Sequence, residues 1–348
     1  ELIEDLNTSL ESACILHDIG WIHFRRGNLA EAEEYLLKAL QIVQPSDRYD
    51  IQASVFNRLG GVYFRKGDLD QASEYTRRGL EIREKIGDLL GAARSSNNLC
   101  LISYARGRWG EALQSLQRDL TLQARLGDNE EVIICHRNIA ELQIDLGQLE
   151  EAEKHCQESL QLAQQLGAQF HIAAANTTLG RLYLVQENYE QSHQFLSIGE
   201  RIYAAMNAKE PLIDVFHLSG EAFLGLGKLE LAEERLHHMV EMLAKLGTGP
   251  LAMHEARIRS LLLSGRLAIA RQYWAVANMS LQEGLALAQN SGNFYEEARL
   301  QRELAFVMIA EGKKVQALQL LEKAAQTFAG LGAKPELQKT LSKKETLV

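Results

Sequence analysis

The histidines and cysteines are the residues whose types could support metal binding or catalysis. Two adjacent pairs, His237-His238 and His254-Glu255, point to different helix faces, so neither can chelate one ion as a helical i,i+4 pair would. The cysteines have no CxxC spacing and no metal-type histidine cluster beside them, and they fall on apolar or small positions of helical patterns. We therefore predict no metal site, and free, buried thiols in a reducing compartment, for Cys14, Cys100, Cys135 and Cys156.

Patterns for nucleotide binding and for nucleophilic catalysis are incomplete. The nearest approach to a phosphate loop ends in Gly227-Lys228-Leu229, which lacks the final hydroxyl and a preceding strand. Gly247 and Gly249 precede a proline and predict a loop between helices. Serine, histidine and aspartate occur without a nucleophile elbow or a strand framework to present them. We predict that the chain is not an enzyme and that it uses no cofactor.

Composition and charge narrow the class of protein further. The 348 residues are 46% hydrophobic and 24% charged, with only 4 prolines, which is typical of a mostly helical, soluble protein. A formal net charge of -9 disfavours direct binding to nucleic acid. No apolar run approaches the roughly 18 residues of a membrane span, so we expect a cytoplasmic protein with no membrane contact. Because it starts at Glu1, already inside a helical pattern, we expect it to be part of a larger protein.

A repeat of 40 residues organises the whole sequence. Gly27, Gly67, Gly107 and Gly147 follow one another at this spacing, Glu187 and Gly227 continue the phase, and Gln272 and Gly312 resume it after a five-residue insertion near Gly249 and Pro250. A small residue also precedes most turns by seven positions, where it would let two helix backbones approach closely. Eight units result, at about 9–46, 49–88, 89–128, 129–168, 169–208, 209–248, 250–293 and 294–332, with a polar capping helix at about 335–346.

Helix start and stop signals agree with this division. Glycine after a helix end adopts the left-handed conformation at no Cβ cost. Asn28, Asp68, Asp128 and Asn188 each precede a Glu or Gln by three residues, which is the spacing of a capping box. Two helices in each unit cannot bury their apolar faces alone, so the units must stack. We predict an all-α solenoid that forms a single domain over 1–348.

The motif Leu59-Gly60-x-x-Tyr63, followed by Gly67, Leu69 and Ala72, resembles the tetratricopeptide repeat consensus. The resemblance covers essentially the whole chain and implies a right-handed superhelix of eight helical hairpins. The unit of 40 residues is similar to those of kinesin light chains, cell-polarity adaptors, bacterial peptide-sensing regulators and the sensor arms of MalT-like STAND ATPases.

The resemblance also implies a binding groove lined by the first helix of each hairpin. Arginines suit carboxylates there, and asparagines such as Asn98 and Asn138 suit a peptide backbone. The alternative is that these charges only pair with one another, as Arg137 with Glu141, or Glu141, Arg181 and Glu221 in a ladder. The predicted groove residues are His17, Trp21, Asn57, Arg94, Asn97, Asn98, Arg137, Asn138, Glu141, Thr177, Arg181, His217 and Glu221, with Arg259, Arg266, Arg299 and Arg302 on further inward positions.

Three functions remain open from the sequence. The first is a scaffold or sensor module of a signalling or regulatory protein, which binds an extended and partly acidic protein or peptide segment in the groove. The second is the small-molecule-sensing arm of a MalT-like STAND ATPase or transcription regulator. The third is a structural assembly module that binds through its convex face. Sequence does not distinguish the oligomeric state or the partner.

Overall fold

The computed structural model describes residues 10–246 and 251–345, and in this part of the chain every regular element is an α-helix. The all-α prediction is confirmed. The helices are α1 Leu10–Arg26, α2 Leu29–Val43, α3 Tyr49–Lys66, α4 Leu69–Ile86, α5 Leu89–Ala105, α6 Trp109–Leu126, α7 Asn129–Leu146, α8 Leu149–Gln165, α9 Gln169–Val185, α10 Tyr189–Ala205, α11 Lys209–Gly225, α12 Leu229–Leu246, α13 Leu251–Ala270, α14 Trp274–Ser291, α15 Phe294–Ala310, α16 Lys314–Leu331 and α17 Lys334–Glu345.

The chain divides into two compact units, residues 1–135 and 136–348, which we call unit 1 and unit 2. The boundary falls inside α7. Several predicted positions lie outside the described residues. They are Ser9 at the start of the first repeat, Gly247, Gly249 and Pro250 near the predicted insertion, and position 346 at the end of the predicted capping helix. The single-domain organisation and its repeat boundaries remain predictions.

Consecutive helices pack as hairpins, and the first helices of neighbouring hairpins also contact one another within each unit. In unit 1, α1 meets α3 and α3 meets α5. In unit 2, α9 meets α11, α11 meets α13, and α13 meets α15. This packing is that of a tetratricopeptide-type solenoid. It places the polar faces of the odd-numbered helices beside one another.

Small residues permit this close packing, as their spacing predicts. A Cβ atom at Gly180 would lie 2.5 Å from Leu196 Cγ, and one at Gly220 would lie 2.6 Å from Leu263 Cδ2. Both leucines are fully buried. Because protein interiors are close-packed, a side chain at either glycine would separate the helices. The glycines that precede the turns are therefore required by packing.

All four predicted N-termini are observed, and three of the four predicted capping residues make the cap. Asp68, Asp128 and Asn188 accept hydrogen bonds from the backbone amides three residues later, at 3.0, 3.2 and 3.4 Å. Asn28 makes no side-chain cap, so that prediction is wrong. The side-chain amide nitrogen of Asn28 lies 3.5 Å from Nδ1 of His23, which is near the end of the preceding helix. The histidine ring draws the side chain away from the helix that it would cap.

The cysteine predictions are correct with one exception. All four cysteines are free, and Cys100, Cys135 and Cys156 are buried. Burial raises the pKa of Cys100 to about 11 and that of Cys156 to about 12, so both are neutral thiols. Cys14 is exposed because it lies on the solvent side of α1. None of the described helices is long and apolar enough to cross a membrane.

Among the described residues, three turns end in a left-handed residue that is not glycine: Glu187, Asn207 and Gln272. Asparagine adopts this conformation more readily than the other two. Glu187 has φ 60° and Gln272 has φ 61°, whereas Gly67 at the equivalent turn has φ 82°. For an L-residue this conformation costs roughly 1–2 kcal/mol, and part of that is offset because glycine loses more freedom on folding. We expect Glu187→Gly and Gln272→Gly each to raise the free energy of unfolding by about 0.5–1 kcal/mol.

Urea denaturation followed by circular dichroism would measure this effect, with Gly67→Ala as the reverse control. That control should lose about 1 kcal/mol. Failure of both glycine substitutions to stabilise the protein would show that these turns are not strained.

Candidate functional site

The predicted groove residues of unit 1 lie on α1, α3 and α5 and are tied together across these helices. Asn98 Nδ2 on α5 donates to Asn57 Oδ1 on α3 at 3.1 Å. Arg58 on α3 donates to the backbone oxygen of His17 at 3.0 Å, and its guanidinium lies 4.9 Å from the centre of the Trp21 ring. These residues therefore share one polar face. Arg94 and Asn97 lie on the same helix as Asn98 and are exposed.

His17 has an electrostatic setting that keeps it neutral. Burial, and then the positive charge of Arg58, lower its pKa, and these effects outweigh the contact of its Nδ1 with Asp18 at 3.2 Å. A neutral imidazole can both donate and accept a hydrogen bond. Trp21 is 37% exposed and stacks on Phe24. An apolar ring and a neutral polar ring thus stand side by side on α1.

In unit 2 the predicted residues converge on a more recessed interior. Arg181 on α9 donates to Asp145 on α7 at 2.5 Å and to the backbone oxygen of Glu141 at 3.2 Å. Thr178 donates to the Glu141 carboxylate at 3.3 Å. The sequence suggested a pairing between Glu141 and Arg181. In the structure, the Arg181 guanidinium donates to the backbone oxygen of Glu141 and to the carboxylate of Asp145.

The first and last helices of unit 2 also contact one another. Tyr295 on α15 donates to Asp145 on α7 at 3.3 Å, although 150 residues separate them in sequence. At the same end, a Cβ at Gly147 would lie 3.2 Å from Pro335, and one at Gly332 would lie 3.3 Å from Leu146. The turn after α7 therefore lies against the connection between α16 and α17.

We call the titratable residues that line this recess the interior cluster. Arg259 donates to Glu255 at 2.7 Å and to Asp214 at 3.0 Å, and Arg299 contacts Glu296 at 3.1 Å. Arg302 contacts Glu303 at 3.1 Å and also pairs with Glu336, and Arg266 pairs with Glu221. The interior cluster comprises Asp145, Arg181, Asp214, His217, Glu221, Glu255, Arg259, Arg266, Tyr295, Glu296, Arg299, Arg302, Glu303 and Glu336.

Two members of the interior cluster were predicted from sequence and prove to be deeply buried. His217 and Glu221 are 4% and 6% exposed. Burial lowers the pKa of His217 well below its usual value, and Arg299 adds to this, so the ring is neutral. Within the described part of the chain, His217 Nδ1 and Glu221 Oε1 are buried without a hydrogen-bond partner. Buried polar atoms normally have one, either in the protein or in ordered water.

The remaining predicted residues lie beside this cluster on α7 and α9. Arg137 donates to Asn138 Oδ1 at 3.3 Å, so the guanidinium holds the neighbouring amide in place. Thr177 donates to its own helix backbone at 2.9 Å. Arg137, Asn138 and Thr177 are half-buried. They border the interior rather than fill it.

The tetratricopeptide repeat model matches residues 11–85 and 136–204. Tetratricopeptide repeats occupy these two segments of the chain. No curated protein matches its sequence.

Several solved structures share the fold of this chain. A tetratricopeptide repeat protein from Parabacteroides merdae is 16% identical with a TM-score of 0.65, and the match covers 86% of this chain and 99% of that one. The Rap conjugation gene regulator of plasmid pLS20, in complex with the Phr* peptide, is 12% identical with a TM-score of 0.64, covering 92% and 95%.

A third structure is a STAND protein with a tetratricopeptide repeat sensor from Pyrococcus horikoshii. It is 18% identical with a TM-score of 0.60, and the match covers 88% of this chain and 44% of that one. At such identities the three likenesses show only the fold of this chain.

Sequence analysis missed several cluster members in this chain. Asp145 follows Glu141 by four residues on the inward face of α7, so helical spacing could have found it. Glu336 could not have been found in this way, because α17 was expected to be a polar helix with a solvated outer face. That expectation is partly wrong: Thr340 is fully buried and Glu336 pairs with Arg302 inside unit 2.

Glu336 makes the stability of the protein depend on pH. Burial opposes its charge, but Arg302 and Arg299 prevail and lower its pKa from 4.5 to about 2. A depressed carboxyl pKa stabilises the fold above the unfolded value, and this stability is lost as pH falls through the folded value. We expect the wild type to lose about 3 kcal/mol from this group between about pH 4.5 and about pH 2, and Glu336→Gln to lose less.

Urea midpoints measured across this pH range would test the effect, with the exposed Glu151→Gln on α8 as the matched control. The control should follow the wild type. Parallel curves for wild type and Glu336→Gln would show that the pair with Arg302 does not contribute.

Proposed function

We propose that this chain is a non-catalytic, peptide-binding scaffold or sensor module of a cytoplasmic signalling or regulatory protein. The observation that carries the proposal is the interior cluster of unit 2, where buried polar atoms of His217 and Glu221 have no partner among the described residues. The carboxylate oxygen requires a hydrogen-bond donor, and the nitrogen of a neutral imidazole can pair with a donor or with an acceptor. A peptide backbone offers both in regular alternation.

The border of the cluster supports the same type of ligand. Arg137, Asn138 and Thr177 present a guanidinium, an amide and a hydroxyl on adjacent first helices. Arg137 Nε is buried and has no partner in the described part of the chain. Guanidinium groups bind carboxylates in a planar, two-point geometry. We therefore propose that the segment carries at least one acidic side chain near α7. The Rap regulator of the same fold was solved with a peptide, which adds support.

The charge balance of the interior limits how acidic the segment can be. Arg181, Arg259, Arg266, Arg299 and Arg302 each already contact a carboxylate of the chain. An incoming acidic side chain must therefore compete with an internal one, which makes a strongly acidic peptide costly to accommodate. One or two acidic residues in an otherwise neutral segment fit this arrangement best.

Selection of a phage-displayed library of random linear peptides against the full chain would test the proposal, with synthetic labelled peptides then measured by fluorescence anisotropy. We expect Arg137→Glu and Asn138→Ala each to weaken the selected peptides by at least about tenfold, since a charged hydrogen bond contributes about 1.5–3 kcal/mol. Arg201→Glu on α10 is the matched control and should bind as the wild type does.

Equal binding by all variants would contradict the assignment to unit 2. Loss of binding in Arg201→Glu alone would instead favour the convex, structural assembly reading, because Arg201 is exposed on a second helix. Circular dichroism of each variant separates loss of binding from loss of fold.

A small-molecule-sensing arm is the second candidate, and the closure of unit 2 between Asp145 and Tyr295 favours it. A closed interior suits a compact ligand with a few convergent polar groups. The likeness to a STAND protein with a repeat sensor is consistent with this alternative. If the library yields no peptide while a free amino acid or dipeptide raises the thermal midpoint of the wild type but not of Glu221→Gln, this second function replaces the first.

A further inference from the structure

Three potential metal ligands meet between α7 and α8 of unit 2. His136 lies on α7, and His155 and Glu158 lie on α8, so that all three ligand atoms are within 4.8 Å of one another. The two Nδ1 atoms are 2.8 Å apart, and Glu158 Oε2 lies 3.0 Å from that of His136 and 3.4 Å from that of His155. Sequence analysis considered pairs within one helix and therefore missed a cluster that spans two.

The backbone of the hairpin fixes this arrangement. His155 and Glu158 are three residues apart and so project from the same side of α8. On the adjoining face of α8, Ala152, Cys156 and Ser159 are buried, which sets the rotation of the helix. The side chains of His136 and His155 are 15% and 22% exposed, whereas Glu158 is 57% exposed. The two histidines are therefore held within the packed hairpin, and the Glu158 side of the cluster is open to solvent.

Hydrogen bonding alone does not explain the cluster well. A neutral imidazole has one N–H, and a carboxylate only accepts. If one of the two ring nitrogens carries its proton towards the others, it can donate to only one of the other two atoms at a time. Two atoms are then left with lone pairs facing each other, which is repulsive, and a cation between them would remove this repulsion.

We propose that His136, His155 and Glu158 form a binding site for a divalent transition metal, with Zn²⁺ as the best match. Zinc takes histidine nitrogens at about 2.0–2.1 Å and carboxylate oxygens at about 2.0–2.2 Å in a tetrahedron, which places ligand atoms about 3.3 Å apart. The two contacts of Glu158 already have this spacing. The two histidine nitrogens need to separate by about 0.5 Å, which a small rotation of each ring provides.

Three protein ligands leave one coordination position for water or for a donor from a bound partner. Such a site would join α7 to α8 at the hairpin that begins unit 2. Two imidazoles and one carboxylate also suit zinc better than magnesium or calcium, which prefer oxygen ligands. This inference is independent of the peptide-binding proposal, because none of the three residues belongs to the interior cluster.

Isothermal titration calorimetry of the chelator-treated full chain with Zn²⁺ would test the proposal, and the visible absorption of bound Co²⁺ would report the coordination geometry. All proteins would carry Cys14→Ser, since Cys14 is an exposed thiol that could bind either ion. We expect one Zn²⁺ per chain, and at least about tenfold weaker binding in His136→Gln and in His155→Gln, the lower bound for loss of a ligand or its support.

His237→Gln is the matched control, because His237 is an exposed histidine 3.4 Å from Glu241 on α12 and should not affect binding. Glu158→Gln provides a test that does not threaten the fold, since this side chain is largely exposed, and it should also weaken binding. Zinc should raise the thermal midpoint of the parent protein and not that of His155→Gln. Absence of stoichiometric binding, or equal binding in the parent and all three ligand variants, would overturn the proposal.

Discussion

Close approach of neighbouring helices is the interaction on which the rest of this structure depends. A hairpin of two helices cannot bury both apolar faces, so each hairpin is stable only when it packs against the next hairpin. Gly180 and Gly220 let Leu196 and Leu263 fill the space that a Cβ would take. The same approach brings the first helices side by side. Polar residues on those helices then meet even when 40 or more residues separate them.

This geometry explains why the interior of unit 2 holds so many charges. Side chains on the first helices face one another across a recess, and pairing of the partly buried arginines there offsets the cost of withdrawing them from water. Three of the arginines on inward positions, Arg181, Arg259 and Arg266, do have carboxylate partners. The role of these three is thus at least partly structural. Among the described residues, the buried polar atoms of His217 and Glu221 that have no partner are more informative about a ligand than these arginines.

Sequence reasoning succeeded where one helix or one turn decides the outcome. Helix stops at glycine and caps at Asp68, Asp128 and Asn188 depend on residues within one turn of the chain. The predicted cap at Asn28 is not formed, because His23 on the preceding helix competes for the Asn28 side chain. The contact of Tyr295 with Asp145, the pairing of Glu336 and the meeting of His136 with His155 depend on how hairpins pack. Periodicity contains no information about that packing.

The contact between the two ends of unit 2 also constrains how this protein can evolve. Repeat arrays commonly gain or lose whole repeats, because each repeat contacts only its neighbours. In unit 2 an added or deleted hairpin would move Tyr295 away from Asp145 and Pro335 away from the turn at Gly147. The number of hairpins in this unit is therefore fixed by its closure. Unfolding of one hairpin there should also disrupt contacts at both ends, so the unit should unfold more cooperatively than an open array.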